Sequence, residues 1–177
     1  MEARNHRMLN RNAELLGNRY MALGISRRSF RKTTASAKGT CNVSLTRRFA
    51  CSPEEAFDAW LNPAKAAKFL FATAGGEMTR CEINAIPAGR FLIGERRGGE
   101  DVEHVGEYFE IHRPSRIAFT FVVPKYSPVS TRVSIEIEPG KTGCELKLTN
   151  LGVPEAIAAK CESGWSGVLD GLARVVG

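Results

Sequence analysis

The chain has 177 residues, of which 25% are charged and 43% hydrophobic, and its formal net charge at pH 7 is +6. Residues 1–40 carry nine Lys or Arg and two Glu, a net charge of +7, so residues 41–177 carry −1. A nearly neutral folded part argues against a broad nucleic-acid-binding face, and the chain contains no apolar run long enough to predict a membrane span.

The first 40 residues differ in composition from the rest. Residues 1–40 are rich in Arg and Ser, and we expect a basic, disordered extension before a single folded domain at residues 41–177. Such a composition is also that of an organelle transit peptide or of a tail attracted to nucleic acid. Residues 26–30 match the start of a twin-arginine export signal, but polar residues follow where an apolar run is required. We therefore predict a cytoplasmic protein.

The cysteines and histidines favour neither a disulfide framework nor a metal site. The cysteine count is odd and no C-x-x-C pair occurs, which favours reduced, mostly buried thiols. Metal ligands must cluster in the sequence or in the fold, and only three histidines are present. No metal or cofactor is expected. The cysteines are Cys41, Cys51, Cys81, Cys144 and Cys161.

The folded part begins with a predicted strand and two short helices. Residues 43–49 alternate apolar and polar side chains, as a half-buried strand does. Ser52 is a favourable N-cap, and Glu55 three residues later completes a capping box, so a helix is predicted to begin there. A second short helix is expected to begin at Asn62-Pro63 and to end near residues 69–71.

Beyond Gly75-Gly76 the apolar pattern has a period of two, which is typical of an antiparallel sheet with one buried face. The clearest example is residues 133–137, where Val and Ile alternate with Ser and Glu. Breaks rich in Gly and Pro separate the segments. The predicted strands lie near residues 78–85, 89–97, 103–112, 116–123, 130–138 and 143–151.

An amphipathic helix is predicted over residues 154–176. Its apolar residues recur at the i, i+3, i+4 spacing of one face, which such a helix buries across the sheet. Gly164, Gly167 and Gly171 lie in or beside this face, where each Gly weakens a helix by roughly 1 kcal/mol; they indicate close packing or room for a ligand. The apolar residues are Ile157, Cys161, Trp165, Val168, Leu169, Leu172, Val175 and Val176.

Four motifs and this order of elements carry a resemblance to a known family. The predicted order of elements is one strand, two short helices, six strands and a long helix. This is the order of the helix-grip, or START-like, fold. The chain resembles the family related to the activator of Hsp90 ATPase, within the START/polyketide-cyclase superfamily, over residues 42–177. The motifs are R-F-x-x-S-P-E-x-x-F-x-A-W at residues 48–60, G-E-Y-F-E-I at 106–111, R-I-A-F-T-F at 116–121 and G-W at 164–165.

The resemblance implies an α+β fold in which an antiparallel, curved sheet of about seven strands wraps around the long C-terminal helix. It also implies a cavity between the concave face and that helix, which the superfamily uses for apolar small molecules, lipids or polyketides. We therefore expect a protein that binds an apolar small molecule there without a cofactor. Many relatives have a histidine where the last strand ends, but this chain has Asn150, so no proton-transfer role is predicted at that position.

Ten residues are expected to contact the ligand in such a cavity. If Tyr108 and Glu110 both point inward, they orient the ligand by hydrogen bonds while the other residues bury it. The aromatic members of the set are equally compatible with a filled core. The ten residues are Phe91, Ile93, Tyr108, Glu110, Phe119, Phe121, Leu146, Leu148, Trp165 and Leu169.

The strand carboxylates and histidines have simpler interpretations too. An inward carboxylate would have a raised pKa and be a candidate acid, base or ligand anchor. Alternatively, Glu95, Glu107 and Glu110 face solvent or pair with Arg90, Arg96 or Arg116. His104 and His112 are predicted to be surface residues.

Two further functions remain open at this point. One is a protein-interaction domain resembling the Hsp90 activator, with a chaperone or another protein as its partner. The other is a cyclase or hydrolase acting on an aromatic or polyketide substrate. The sequence contains no phosphate-binding loop, nucleophile elbow or zinc-binding helix motif, so no catalytic residue is assigned. No nucleic-acid partner is expected for the folded domain.

Overall fold

One antiparallel sheet of seven strands forms the framework of the computed structural model, which describes residues 39–177. The strand order is β1-β7-β6-β5-β4-β3-β2. The prediction for residues 1–40 falls almost wholly outside the described residues. The elements are β1 Thr40–Phe49, α1 Pro53–Leu61, α2 Pro63–Ala66, β2 Glu77–Ile83, β3 Arg90–Arg97, β4 Glu100–His112, β5 Arg116–Val123, β6 Ser127–Gly140, β7 Gly143–Pro154, a single 3-10 turn Glu155–Ile157 and α3 Ala158–Val176.

The predicted fold class is confirmed, and its local signals act as expected. The Ser52 side chain accepts a hydrogen bond from the Glu55 backbone N–H, and the Glu55 side chain accepts one from the Ser52 backbone N–H. Asn62 caps α2, because its Oδ1 accepts from the N–H groups of Ala64 and Lys65. These caps satisfy N–H groups that a helix start leaves without partners, so the chain turns sharply from β1 into α1 and from α1 into α2.

The turn between β3 and β4 is shorter than predicted. Gly98 and Gly99 have φ values of +55° and +84°, as a two-residue type I′ hairpin turn requires. Arg97 pairs directly with Glu100 across it. Because two glycines make the whole turn, β4 begins at Glu100 rather than near residue 103.

The main core lies between the concave face of the sheet and α3, which packs on β1, β7 and α1. The predicted apolar face of α3 is buried at its centre, whereas Ile157 is 40% exposed. Ile157 belongs to the separate 3-10 turn, whose period of three residues takes it out of the helical face. The buried residues of this core include Ile135, Leu146, Leu148, Trp165, Val168, Leu169 and Leu172.

The three glycines of α3 have different surroundings. A Cβ at Gly171 would lie 2.8 Å from the Cβ of Phe69 and 3.2 Å from its Cα, whereas at Gly164 or Gly167 it would have no neighbour within 4 Å. Close packing therefore accounts for Gly171 alone.

We expect Gly164→Ala and Gly167→Ala each to stabilise the protein by up to about 1 kcal/mol, because Ala is the better helix former. Gly171→Ala should instead destabilise it by about 1–3 kcal/mol, since the backbone of residue 69 must move. Urea unfolding of the three variants measures the difference. A stabilised Gly171→Ala variant would contradict the close contact.

Candidate functional site

A small cavity lies between the concave face of the sheet and the segment that follows α1. Its volume is about 10 Å³, room for roughly one water molecule. A protein cavity that binds benzene measures about 150 Å³, so an organic ligand enters only if a side chain of the wall moves. The cavity is lined by Trp60, Leu70, Phe71, Phe91, Ile93, Tyr108, Ile117 and Phe119.

The ten predicted ligand residues are distributed over four places, one of which holds Glu110 alone. Phe91, Ile93, Tyr108 and Phe119 line this cavity. Phe121 and Trp165 lie beside it, with ring centroids 5.2 and 5.5 Å from that of Phe71. The cavity therefore lies towards α1 and α2, because the apolar face of α3 packs directly on the sheet. Leu146, Leu148 and Leu169 are buried in the core and do not line the cavity.

Glu110 lies apart from the other nine residues. The pairing of β4 with β5 shifts between Tyr108 and Glu110, so that Tyr108 pairs with Phe119 and Glu110 with Ala118. A β-bulge of this kind reverses the alternation of side chains. Tyr108 consequently faces the cavity, whereas Glu110 accepts a hydrogen bond from Arg116 at 2.6 Å and its side chain is 38% exposed.

The other two strand carboxylates also pair with arginines. Glu107 accepts a hydrogen bond from Arg90 at 3.2 Å, which agrees with the alternative prediction that the strand carboxylates pair with arginines. Glu95 is different, because it is 1% exposed and its partner is Arg97, which sequence reasoning did not consider.

The Phe71 ring occupies the centre of an aromatic cluster. It stacks on the His104 imidazole with centroids 4.1 Å apart and planes 3° from parallel, and it contacts Phe121 and Trp165. Its backbone φ is +58°, a left-handed conformation that is rare for a bulky residue and costs of the order of 1–2 kcal/mol. A strained backbone thus holds this ring against the concave face.

Two charged side chains of β3 hold the segment that carries this ring, residues 71–73. Glu95 Oε1 accepts from the backbone N–H of Thr73 at 2.6 Å and from its hydroxyl at 2.7 Å. Arg97 donates to the other oxygen of Glu95 and, through Nη2, to the carbonyl oxygen of Phe71 at 3.0 Å. Burial by itself would raise the pKa of Glu95, but the hydrogen bonds from Thr73 and Arg97 outweigh it and leave the pKa below its usual value.

His104 is buried, so its prediction as a surface residue is wrong. It pairs with Ile93 and has only 4% of its surface exposed. Its Nδ1 lies 3.3 Å from the carbonyl oxygen of Ile93. Burial, together with the Arg97 cation, lowers the pKa of His104 to about 4. Counting back in steps of two from Tyr108 would have placed His104 on the inner face; His112 is exposed, as predicted.

The remaining candidate groups of residues 39–177 form no reactive cluster. All five cysteines are free, and burial raises the pKa of Cys81 and of Cys144 to about 11. Asn150 is buried and its Nδ2 lies 3.4 Å from Cys161 Sγ. No group of three His, Cys, Asp or Glu in this range could hold a metal ion, and none of its helices is long and apolar enough to span a membrane.

Residues 50–177 match the sequence model of a family described as Activator of Hsp90 ATPase homolog 1-like protein. The chain belongs to this family. It is START-like, and such proteins commonly bind hydrophobic ligands. No curated protein matches the chain in sequence.

Solved structures of bacterial proteins share the fold. A protein from Chromobacterium violaceum is 26% identical, with a TM-score of 0.71 over 76% of this chain and 96% of its own. The AHSA1-like protein from Aeromonas hydrophila is 20% identical, with a TM-score of 0.66 over 77% of this chain and 92% of its own. A protein from Nitrosomonas europaea is 18% identical, with a TM-score of 0.65 over 78% and 95%.

Proposed function

We propose that this protein binds a small apolar molecule in its concave interior and that the molecule takes the place of the Phe71 ring. The observation that carries the proposal is the combination of a strained backbone at Phe71 with a half-buried ring that packs on His104, Phe121 and Trp165. The common binding of hydrophobic ligands by START-like proteins supports it further.

The energetic argument is an exchange of one ring for another. A buried aromatic side chain covers about 150–250 Å², worth roughly 4–6 kcal/mol at 25 cal/mol per Å². A ligand of similar size gains at least as much as the half-buried Phe71 ring loses on leaving. Relief of the strained φ and additional contacts must then outweigh the broken hydrogen bonds of residues 71–73 and the freedom that the ligand loses, so ligands larger than one ring should bind best.

The charge state of Glu95 favours binding over proton transfer. Among the described residues it is the one buried carboxylate, and its lowered pKa keeps it ionised at neutral pH. A general acid at neutral pH needs a raised pKa. Glu95 is therefore better suited to accept hydrogen bonds than to act as the acid of a cyclase or hydrolase.

The family's description names activation of a chaperone ATPase. This function is tested separately by measuring the ATPase rate of the cognate chaperone with and without this chain.

We expect Phe71→Ala to bind isopropylbenzene at least about tenfold more tightly than the unaltered protein, because the variant already contains the space that the ligand needs. Titration by nuclear magnetic resonance or calorimetry measures this ratio. Phe109→Ala, which truncates a phenylalanine that is 42% exposed, is the matched control and should leave binding unchanged. Equal affinity of Phe71→Ala and the unaltered protein would overturn the proposal.

A further inference from the structure

We infer that the outer face of the sheet, opposite α3, is a docking surface for residues 9–23 of this same chain, bound as an amphipathic helix. The inference is independent of ligand binding in the concave interior. It joins an apolar row on the outer face to a matching apolar stripe in the N-terminal sequence. Residues 9–23 lie outside the described residues and enter through their sequence alone.

Three apolar side chains form a row across the outer face at the centre of the sheet. Phe91 and Ile93 line the cavity on the inner face, so Leu92 between them points outward. Leu92 pairs with Val105, and Val105 pairs with Val122. Residues that pair directly across strands lie on the same face, so the row runs over β3, β4 and β5.

This outer row is buried as a core is. Leu92 and Val105 are 0% exposed and Val122 is 3% exposed, although none of the three belongs to the core beneath α3. The main contacts of the described helices are with β1, β2, β6 and β7 and do not account for this burial. The outward positions of a solvated antiparallel sheet are polar as a rule, so an apolar row on three central strands indicates a face that another segment covers.

Residues 9–23 have an apolar stripe that suits this row. Five apolar residues recur at spacings of four, three, four and three, which places them on one narrow face of an α-helix. Gly24 follows the last of them as a C-terminal stop signal. An isolated helix of about 15 residues is marginal in water, so this one is stable only against an apolar partner. The five residues are Leu9, Ala13, Leu16, Tyr20 and Leu23.

The chain is long enough to bring this helix to the outer row. Thr40 begins β1 at one edge of the sheet. β4 lies four strand positions from β1, about 19 Å at roughly 4.8 Å per strand. Residues 24–39 span at most about 50 Å when extended, so a helix that ends at Leu23 reaches the row. The disorder expected for residues 1–40 is then confined to the residues before and after the helix.

Trypsin cleavage of the full chain tests the docking. Arg19 lies within the proposed helix, whereas Arg27 and Arg31 lie between the helix and β1. Proteolysis of a docked helix requires local unfolding, so initial cleavage after Arg19 should be at least about tenfold slower than after Arg27. Mass spectrometry of timed samples measures both rates. Equal rates would overturn the inference.

Two matched variants identify the face of the helix that docks. Leu16→Glu places a charge in the apolar stripe and should raise cleavage after Arg19 about tenfold, because a buried unpaired charge prevents docking. Leu15→Glu makes the same change one position earlier, about 100° around the helix, and should keep the protection. Equal effects of the two variants would contradict a helix docked through this stripe.

The outer row is tested by Val122→Thr, which keeps the shape and the strand preference of the residue. The added hydroxyl weakens an apolar contact, so cleavage after Arg19 should increase several-fold while urea unfolding shows a folded domain. If Leu16→Glu removes the protection and Val122→Thr does not, the segment docks elsewhere and the inference is wrong. Protection that disappears on dilution of the protein would place the segment on a second copy and overturn docking within one chain.

Discussion

Glu95→Gln is expected to lower the free energy of unfolding by about 2–4 kcal/mol at pH 7. Removing one partner of a buried ion pair costs about 3–5 kcal/mol, and the lower range allows for Arg97, whose side chain is 30% exposed. Gln has nearly the same shape as Glu but replaces one oxygen by a donor, which then faces the donors of Thr73 or Arg97. Urea unfolding followed by tryptophan fluorescence measures the change.

Glu145→Gln is the matched control for this measurement. Glu145 pairs with Arg48 at 2.9 Å, but the two side chains are 43% and 87% exposed. Exposed ion pairs contribute less than about 1 kcal/mol, so the control should be nearly neutral. Similar losses in both variants would contradict the structural role assigned to Glu95.

Acidification is expected to destabilise the protein through His104 by about 3 kcal/mol between pH 7.5 and pH 4. The pKa of His104 is about 4 in the folded protein, against about 6.5 in an unfolded chain. In this range the unfolded state binds more protons than the folded state, so stability falls as the pH falls. About 2 kcal/mol of this loss should occur between pH 7 and pH 5. Urea unfolding at successive pH values follows it.

Two variants isolate the contribution of His104. His104→Phe keeps an aromatic ring beside Phe71 but cannot be protonated, so its stability should be nearly independent of pH between 7 and 5. His112→Gln alters an exposed histidine and should keep the original profile. Glu95 has a lowered pKa, and its contribution is lost only below about pH 4.5, the value for an unfolded chain. A wild-type profile that is flat from pH 7 to pH 5 would show that His104 is accessible to water.

The strands and the starts of the first two helices were predictable because their signals are local, whereas α2 ends at Ala66 rather than near residues 69–71. The capping box at Ser52 and Glu55 marked the start of α1, and apolar alternation marked all seven strands to within a few residues. The resemblance added the way these elements assemble. The start of β4 was predicted three residues too late, because two glycines are sufficient for the turn between β3 and β4. Ile157 was predicted to lie on the apolar face of the helix, but it belongs to the 3-10 turn before α3.

The candidate site was predictable only in part. Phe91, Ile93, Tyr108 and Phe119 line the cavity, and their contact with a ligand stays a prediction. A single β-bulge places Glu110 on the opposite face, and no residue type in β4 predicts that bulge. Phe71, at the centre of the site, was predicted only to lie near the end of the second short helix, since its left-handed backbone does not follow from its residue type.

From residue order one could derive the elements, their sequence along the chain and the buried face of the clearest strands, such as β6, because caps and alternation depend on neighbours a few positions apart. The folded chain added the packing of α3 on β1, β7 and α1, the reversed side chain of Glu110 and the hydrogen bonds that hold residues 71–73. These hydrogen bonds join Thr73 to Glu95 and Phe71 to Arg97, which are 22 and 26 positions apart in the sequence. Contacts of this kind form only when the curved sheet brings β3 beneath the segment that follows α2. A sequence pattern of a few neighbouring residues therefore does not predict them.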